Sequence, residues 1–118
     1  MLYDKLDPAA AFARWRKDRS LALNRIAVER LRRDPAALEL ARATLRRWRA
    51  MGPSNSDPYF NEWEATIALG VEATIAVLVE DTEHAADLRK CGPFACLVPN
   101  EERLAVLAEW APLQPGRK

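Results

Sequence analysis

The sequence predicts an all-α fold, a compact single domain of five or six short helices spanning residues 1–118. Alanine, leucine and arginine dominate the composition, and all three favour helix. Apolar residues recur at helical spacing, and no stretch shows the apolar–polar alternation of a half-buried strand. A chain of 118 residues is long enough to bury one sizeable core without disulfides or metals.

Three Asp-Pro pairs predict where helices begin. An aspartate before a helix accepts hydrogen bonds from amides of the first turn, and proline at the first helical position needs no amide donor. Asp7-Pro8, Asp34-Pro35 and Asp57-Pro58 therefore predict helix starts near residues 8, 35 and 58. We expect the first two helices to end near Arg33 and Ala50.

The first helical segment has apolar residues on more than one side, since Trp15 and Val28 do not share a face. The pattern favours one long helix contacted from several sides, and a break near Arg19-Ser20 is the alternative. Arg19 lies among apolar residues, so its side chain extends toward solvent, pairs with a carboxylate or lies at an interface.

The second half of the chain predicts further short helices. Thr82 is expected to cap one of them, and Asn100 is expected to cap the last, which should end before Pro112. The tail, residues 112–118, is expected to be frayed. The expected helical ranges are 58–69, 71–80, 83–90 and about 100–111.

The charge of the chain is divided between its two halves. Residues 1–50 hold 13 Lys and Arg against 6 Asp and Glu, a net charge of +7. Residues 51–118 hold 5 against 11, a net charge of −6. Such a division predicts either that the halves pack on each other or that the basic half faces an acidic partner.

Arginines of the first two predicted helices are the candidate partner-binding residues. Three of them are eleven and seven residues apart, which places them on nearly the same side of a continuous helix. This stripe is interpreted as a solvated, self-paired face, as a surface for an acidic protein, or as a phosphate-binding surface. The sequence pI near 7.8 argues against nucleic acid. The five candidates are Arg14, Arg25, Arg32, Arg46 and Arg49.

No sequence motif predicts catalysis. The four glycines form no phosphate-binding loop, and His84, the only histidine, has no evident nucleophile with an orienting acid. Cys91 and Cys96 are too loosely spaced and too poor in companion ligands for zinc, so we interpret them as small half-buried residues in a turn. We therefore expect a protein that is not an enzyme and has no catalytic residue, metal or cofactor.

The start of the chain lacks a basic segment followed by an apolar run, which predicts no signal peptide. The longest apolar stretch is far shorter than the ~20 residues that a membrane span needs. We therefore expect a cytoplasmic protein without a membrane partner.

One set of residues within 58–107 forms a distinctive pattern: Tyr59, Glu62-Trp63, Gly70-Val71-Glu72, Leu88-Arg89, Pro93-Phe94-Ala95, Leu97, Glu102-Arg103 and Leu107. With this pattern, residues 58–107 resemble small uncharacterised helical proteins of high-GC bacteria, loosely associated with toxin–antitoxin-like gene neighbourhoods. The resemblance implies an interaction role, such as neutralising a partner, and assigns no functional residues.

Within this segment the residues predict a structural corner. Pro93 follows a glycine and breaks the helix, and Phe94 is expected to enter the core. Arg89 and Arg103 are expected to reach carbonyl ends of neighbouring helices or to pair with acidic residues. A partner-docking role for the same corner is the alternative.

The sequence thus predicts a non-catalytic protein–protein interaction module, antitoxin-like or regulatory, whose basic N-terminal helical face binds an acidic protein surface. Two alternatives use the same charge pattern. One is a nucleic-acid-associated regulator, and the other is a structural protein that forms homo-oligomers through its oppositely charged halves.

Overall fold

Six α-helices build the part of the chain that the structure, a computed structural model, describes, residues 3–116. Three short 3-10 turns, Pro35–Ala37, Ala95–Leu97 and Ala111–Leu113, lie between or after them, and residues 3–116 contain no strand. The all-α prediction is therefore confirmed. The helices are α1 (Pro8–Arg33), α2 (Leu38–Ala50), α3 (Asp57–Ala68), α4 (Val71–Val79), α5 (Glu83–Lys90) and α6 (Asn100–Trp110).

Side-chain caps begin two of these helices as predicted. The Asp7 carboxylate accepts a hydrogen bond from the Ala10 amide at 2.9 Å and starts α1. The Thr82 hydroxyl accepts one from the Ala85 amide at 3.1 Å and starts α5. Both residues have extended backbone angles, which point the side-chain oxygen at first-turn amides.

Three predicted caps are wrong. Asp34 ends α1, its amide donating to the Arg30 carbonyl at 2.8 Å, and its side chain caps nothing; a 3-10 turn therefore precedes α2. Asp57 is already helical, and its carboxylate accepts from the Ser54 amide at 3.2 Å, which closes the preceding loop. Asn100 is the first residue of α6 and accepts from the Arg103 guanidinium at 3.0 Å.

Helix α1 is unbroken and is contacted from opposite sides at its two ends. Trp15 is buried near its start, and Leu31, sixteen residues later, is buried about 160° around the helix. The Trp15 indole N–H donates to the Trp110 carbonyl at 3.0 Å, while Leu31 belongs to the main core. Helices α4 and α6 pack against α1, which confirms the prediction of one long central helix.

The core is centred on Trp63, which is fully buried. Its indole N–H donates to the Leu88 carbonyl at 2.7 Å, joining α3 to α5. The Phe94 ring meets it edge to face, with the ring centroids 4.7 Å apart. Aliphatic side chains of every helix except α6 complete the core.

The α3–α4 junction depends on a glycine. Gly70 has φ +109°, a value that L side chains rarely adopt, and the next residue begins α4. Its carbonyl accepts from the Thr74 amide at 3.2 Å and from the Thr74 hydroxyl at 2.9 Å. The chain therefore turns sharply between two helices that pack on each other.

Helix α6 lies at the edge of the molecule. None of its residues is fully buried, and Leu104 is 51% exposed. The predicted frayed tail overlaps the 3-10 turn Ala111–Leu113, and Arg117 and Lys118 lie outside the described residues. Between residues 3 and 116, no helix combines the length and the apolar character that crossing a membrane requires.

Candidate functional site

The two charge halves meet in the folded chain. The Arg14 guanidinium donates to both Asp81 carboxylate oxygens, at 2.8 and 3.2 Å, and also contacts Asp18 at 3.0 Å. Lys17, about one helical turn further along α1, pairs with Glu83. The hydrogen bond from Arg14 lowers the pKa of Asp81, and the Lys17 ammonium lowers the pKa of Glu83. Some charges of the basic half are therefore neutralised by carboxylates of the acidic half within the folded chain.

Arg49 also bridges the two halves. Its Nε lies 3.0 Å from a Glu64 oxygen, and its Nη2 donates to the Asn61 side chain at 2.7 Å, so it ties α2 to α3. Arg32 pairs with Glu29 one turn earlier on α1, at 3.2 Å. These contacts make Arg49 an internal bridge and Arg32 a locally paired surface residue.

Arg25 and Arg46 are exposed, and no hydrogen bond or ion pair ties either of them to another residue in the range 3–116. Of the five candidate arginines, the structure thus places Arg14 and Arg49 in contact with the acidic half. It leaves the other three at the surface, and Arg46 on α2 lies apart from the α1 stripe.

The predicted corner joins α5 to α6. Phe94 and Pro93 are buried, and Arg89 reaches the carbonyl end of α4, donating from Nη1 to the Glu80 carbonyl at 2.7 Å. Arg103 does not reach a neighbouring helix, because it donates to Asn100 one turn earlier. The buried guanidinium of Arg89 therefore ties α5 to the end of α4.

A groove runs along α1 between that helix, α5 and the corner. It consists of two adjoining hollows of about 400 and 280 Å³, which share Ser20, Leu23, Arg89 and Lys90. We call it the α1–α5 groove. One carboxylate, Glu83, lines it, and the cations that line it are Arg16, Lys17, Arg19, Arg89, Lys90 and Arg103.

Four of these cations, Arg16, Arg19, Arg89 and Arg103, have no carboxylate within ion-pair distance in the described part of the chain. The Arg16 guanidinium lies 6.0 Å from the centre of an aromatic ring of α1, and that of Arg19 lies 4.5 Å from the Trp15 ring. Arg89 bonds only to carbonyl oxygens. Stacking on a ring orients a guanidinium and leaves its N–H donors available to an anion.

Arg89 is the least accessible of the groove cations, only 7% exposed. Its Nε and Nη2 atoms are buried, and neither has a hydrogen-bond partner in residues 3–116. Burial lowers the pKa of the guanidinium, and the carboxylates of Asp81 and Glu80 oppose that shift. Since an arginine in a protein keeps its proton, the groove wall carries a buried positive charge.

The histidine and the two cysteines are the remaining reactive side chains that the sequence analysis considered. His84 pairs with Glu62 at 2.7 Å on the surface, and residues 3–116 hold no group of three His, Cys, Asp or Glu side chains suited to a metal. Both cysteines are free thiols. Cys91 is half-buried as predicted, but Cys96 is exposed, with its thiol donating to the Pro93 carbonyl at 3.3 Å and lying 3.7 Å from the Thr44 hydroxyl.

Comparison with known proteins gives no relative: no protein-family model, no curated protein and no solved structure matches this chain. The groove was not predicted from the sequence, although one signal of it was present. Arg16, Ser20 and Asn24 recur every four residues on α1, which aligns polar side chains along one side of that helix.

Proposed function

We propose that this chain is a non-catalytic interaction module that binds an acidic segment of another protein in the α1–α5 groove. One observation carries the proposal: the groove collects six cations against a single carboxylate. Arg16, Arg19 and Arg89 among them lack a carboxylate partner within residues 3–116, whereas Arg14 and Arg49 are satisfied internally.

The physical basis is electrostatic complementarity. A concave surface of one sign attracts a partner of the opposite sign and fixes the register in which it docks. Arginine suits this role because its planar guanidinium can donate two parallel hydrogen bonds to one carboxylate. The partner is therefore expected to present closely spaced Asp and Glu side chains, and the resemblance of residues 58–107 suggests a regulatory or antitoxin-like use of that binding.

The test is affinity capture from the native host at moderate salt, with and without nuclease, using matched variants. In the groove variant Arg16 and Arg19 are both changed to Glu. In the control variant Arg25 and Arg46, exposed arginines outside the groove, are both changed to Glu. Circular dichroism checks that both variants remain folded.

We expect one stoichiometric protein that survives nuclease, is lost with the groove variant and is retained with the control. A partner that binds both variants equally would overturn the assignment of the groove. Nuclease-sensitive capture would indicate the nucleic-acid alternative, and a mass that rises with concentration and falls with salt would indicate self-association.

A further inference from the structure

The buried guanidinium of Arg89 has one satisfied edge and one open edge. Nη1 donates to the Glu80 carbonyl at 2.7 Å and lies 3.4 Å from the Val77 carbonyl, at the end of α4. Nε and Nη2, the two atoms without a partner among the described residues, are neighbours along the other edge. Their N–H bonds are parallel, which is the geometry that holds two oxygens of one carboxylate or phosphate.

Leaving these donors unpaired is costly. A buried donor without an acceptor loses its hydration and gains nothing in return, and the loss is larger for a charged group. A purely structural cap on α4 needs only the Nη1 contacts, so it does not account for the open edge. The open edge belongs to a residue that lines both hollows of the groove.

The surroundings of Arg89 suit an oxyanion. Ser20 and Lys90 line the same two hollows and supply a hydroxyl donor and a second positive charge. The Lys90 ammonium is only loosely held, 3.6 Å from Asp87, and its side chain is 67% exposed, so it can turn to a ligand. Three residues with donor groups, one on α1 and two on α5, therefore line the same stretch of the groove.

We propose that this stretch is an oxyanion subsite, in which a carboxylate or a phosphate accepts two hydrogen bonds from the open edge of Arg89, assisted by Ser20 and Lys90. The inference rests on the proposed function only in that the anion would belong to the bound partner. A small oxyanion carries the same chemistry, so the purified chain is sufficient for the test.

The experiment follows the side-chain Nε–H signals of arginine in the ¹⁵N-labelled chain while inorganic phosphate, acetate or chloride is added at constant ionic strength. Arg89→Lys identifies the Arg89 signal by its loss and retains the positive charge beside Glu80. We expect a saturable downfield shift of that signal with phosphate or acetate and none with chloride. Whether phosphate or acetate binds more tightly distinguishes a phosphorylated ligand from an acidic one.

A second variant tests the location of the subsite. Ser20→Glu places a carboxylate within the groove, where it competes for the open edge of Arg89, and Ala65→Glu adds the same charge to an exposed position of α3. We expect Ser20→Glu to weaken phosphate or acetate binding by about tenfold or more and Ala65→Glu to leave it unchanged.

The absence of a saturable Arg89 shift, an equal shift with chloride, or oxyanion binding that Ser20→Glu leaves intact would overturn the subsite. These results are independent of affinity capture from the host. Oxyanion binding without a captured partner would contradict the proposed function alone, and a captured partner without oxyanion binding would contradict the subsite alone.

Discussion

At the scale of single residues, the core around Trp63 is packed closely against position 92, where a side chain larger than that of glycine would be crowded. A Cβ atom added to Gly92 would lie 3.1 Å from Cδ2 of Phe94 and 3.3 Å from Cζ2 of Trp63. Both rings are buried, and the Trp63 indole is held by its hydrogen bond to Leu88. Because protein interiors are close-packed, neither ring can retreat without disturbing its neighbours.

Gly92→Ala is therefore expected to lower the free energy of unfolding by ~1–3 kcal/mol, the range for an added methyl group in a packed core. Urea denaturation followed by tryptophan fluorescence measures the change. The same substitution in a Phe94→Leu background, where the closest ring is gone, should cost less. Equal costs in the two backgrounds would show that the contact with Phe94 is not the cause.

Arg89 illustrates which part of the site could not be predicted from the sequence. The contact of Arg89 with the end of α4 follows the predicted corner, since a helix break beside a basic residue is visible in the sequence. The open edge of its guanidinium depends on which carbonyls come within reach after folding. No local pattern carries that information, because the acceptors belong to another helix.

At the scale of elements, α6 is the least buried of the six helices. It has no fully buried residue, and it contacts the rest of the molecule mainly through α1. The Trp15 indole N–H bonds to the carbonyl at its last residue, Trp110, at 3.0 Å. Elements that bury little apolar surface open locally at a lower free energy than the whole molecule unfolds.

Amide hydrogen exchange is therefore expected to be faster in α6 than in α3, which contributes Trp63 to the core. Trp15→Phe removes the donor to the Trp110 carbonyl and should accelerate exchange in the last turn of α6 more than in α3. Exchange measured by NMR resolves the two helices. Equal protection of α6 and α3 in the unmodified chain would contradict this account.

The presence of each helix could be predicted from apolar spacing and from Pro, Gly and capping residues. The residue at which a helix begins, and the side of it that is buried, depend on contacts with other parts of the chain. The dipeptide Asp-Pro caps α1 at Asp7 and does not cap α3, because Asp57 is drawn to the amide of Ser54. Leu104 of α6 is exposed although apolar residues recur at helical spacing there, because helical spacing does not say whether another element will cover a face.

At the scale of the whole molecule, ion pairs between the basic and acidic halves make the stability of the fold depend on pH in the acid range. Lowered pKa values of Asp81 and Glu83, caused by Arg14 and Lys17, mean that the folded chain prefers the ionised carboxylates. Their stabilising contribution is present above the pKa values of the unfolded chain, and it is lost as the pH falls through the lower folded values. The sensitive range lies below about pH 4.5.

We expect the urea midpoint of the unmodified chain to fall between pH 5 and pH 2, and to fall less steeply when Arg14 and Lys17 are both changed to Gln. Changing Arg25 and Arg46 to Gln removes the same charge without removing an ion pair within residues 3–116, and should leave the slope unchanged. Parallel curves for all three proteins would show that these pairs do not contribute to acid sensitivity.

The length of α1 has a consequence for how the protein folds while it is being synthesised. Its 26 residues extend for ~39 Å, close to the largest dimension of the molecule, 43 Å. The partner of Trp15 lies 95 residues further along the chain, and α4 also follows much later. A growing chain on the ribosome therefore carries this positively charged helix without its α4 and α6 contacts until those two helices have been synthesised.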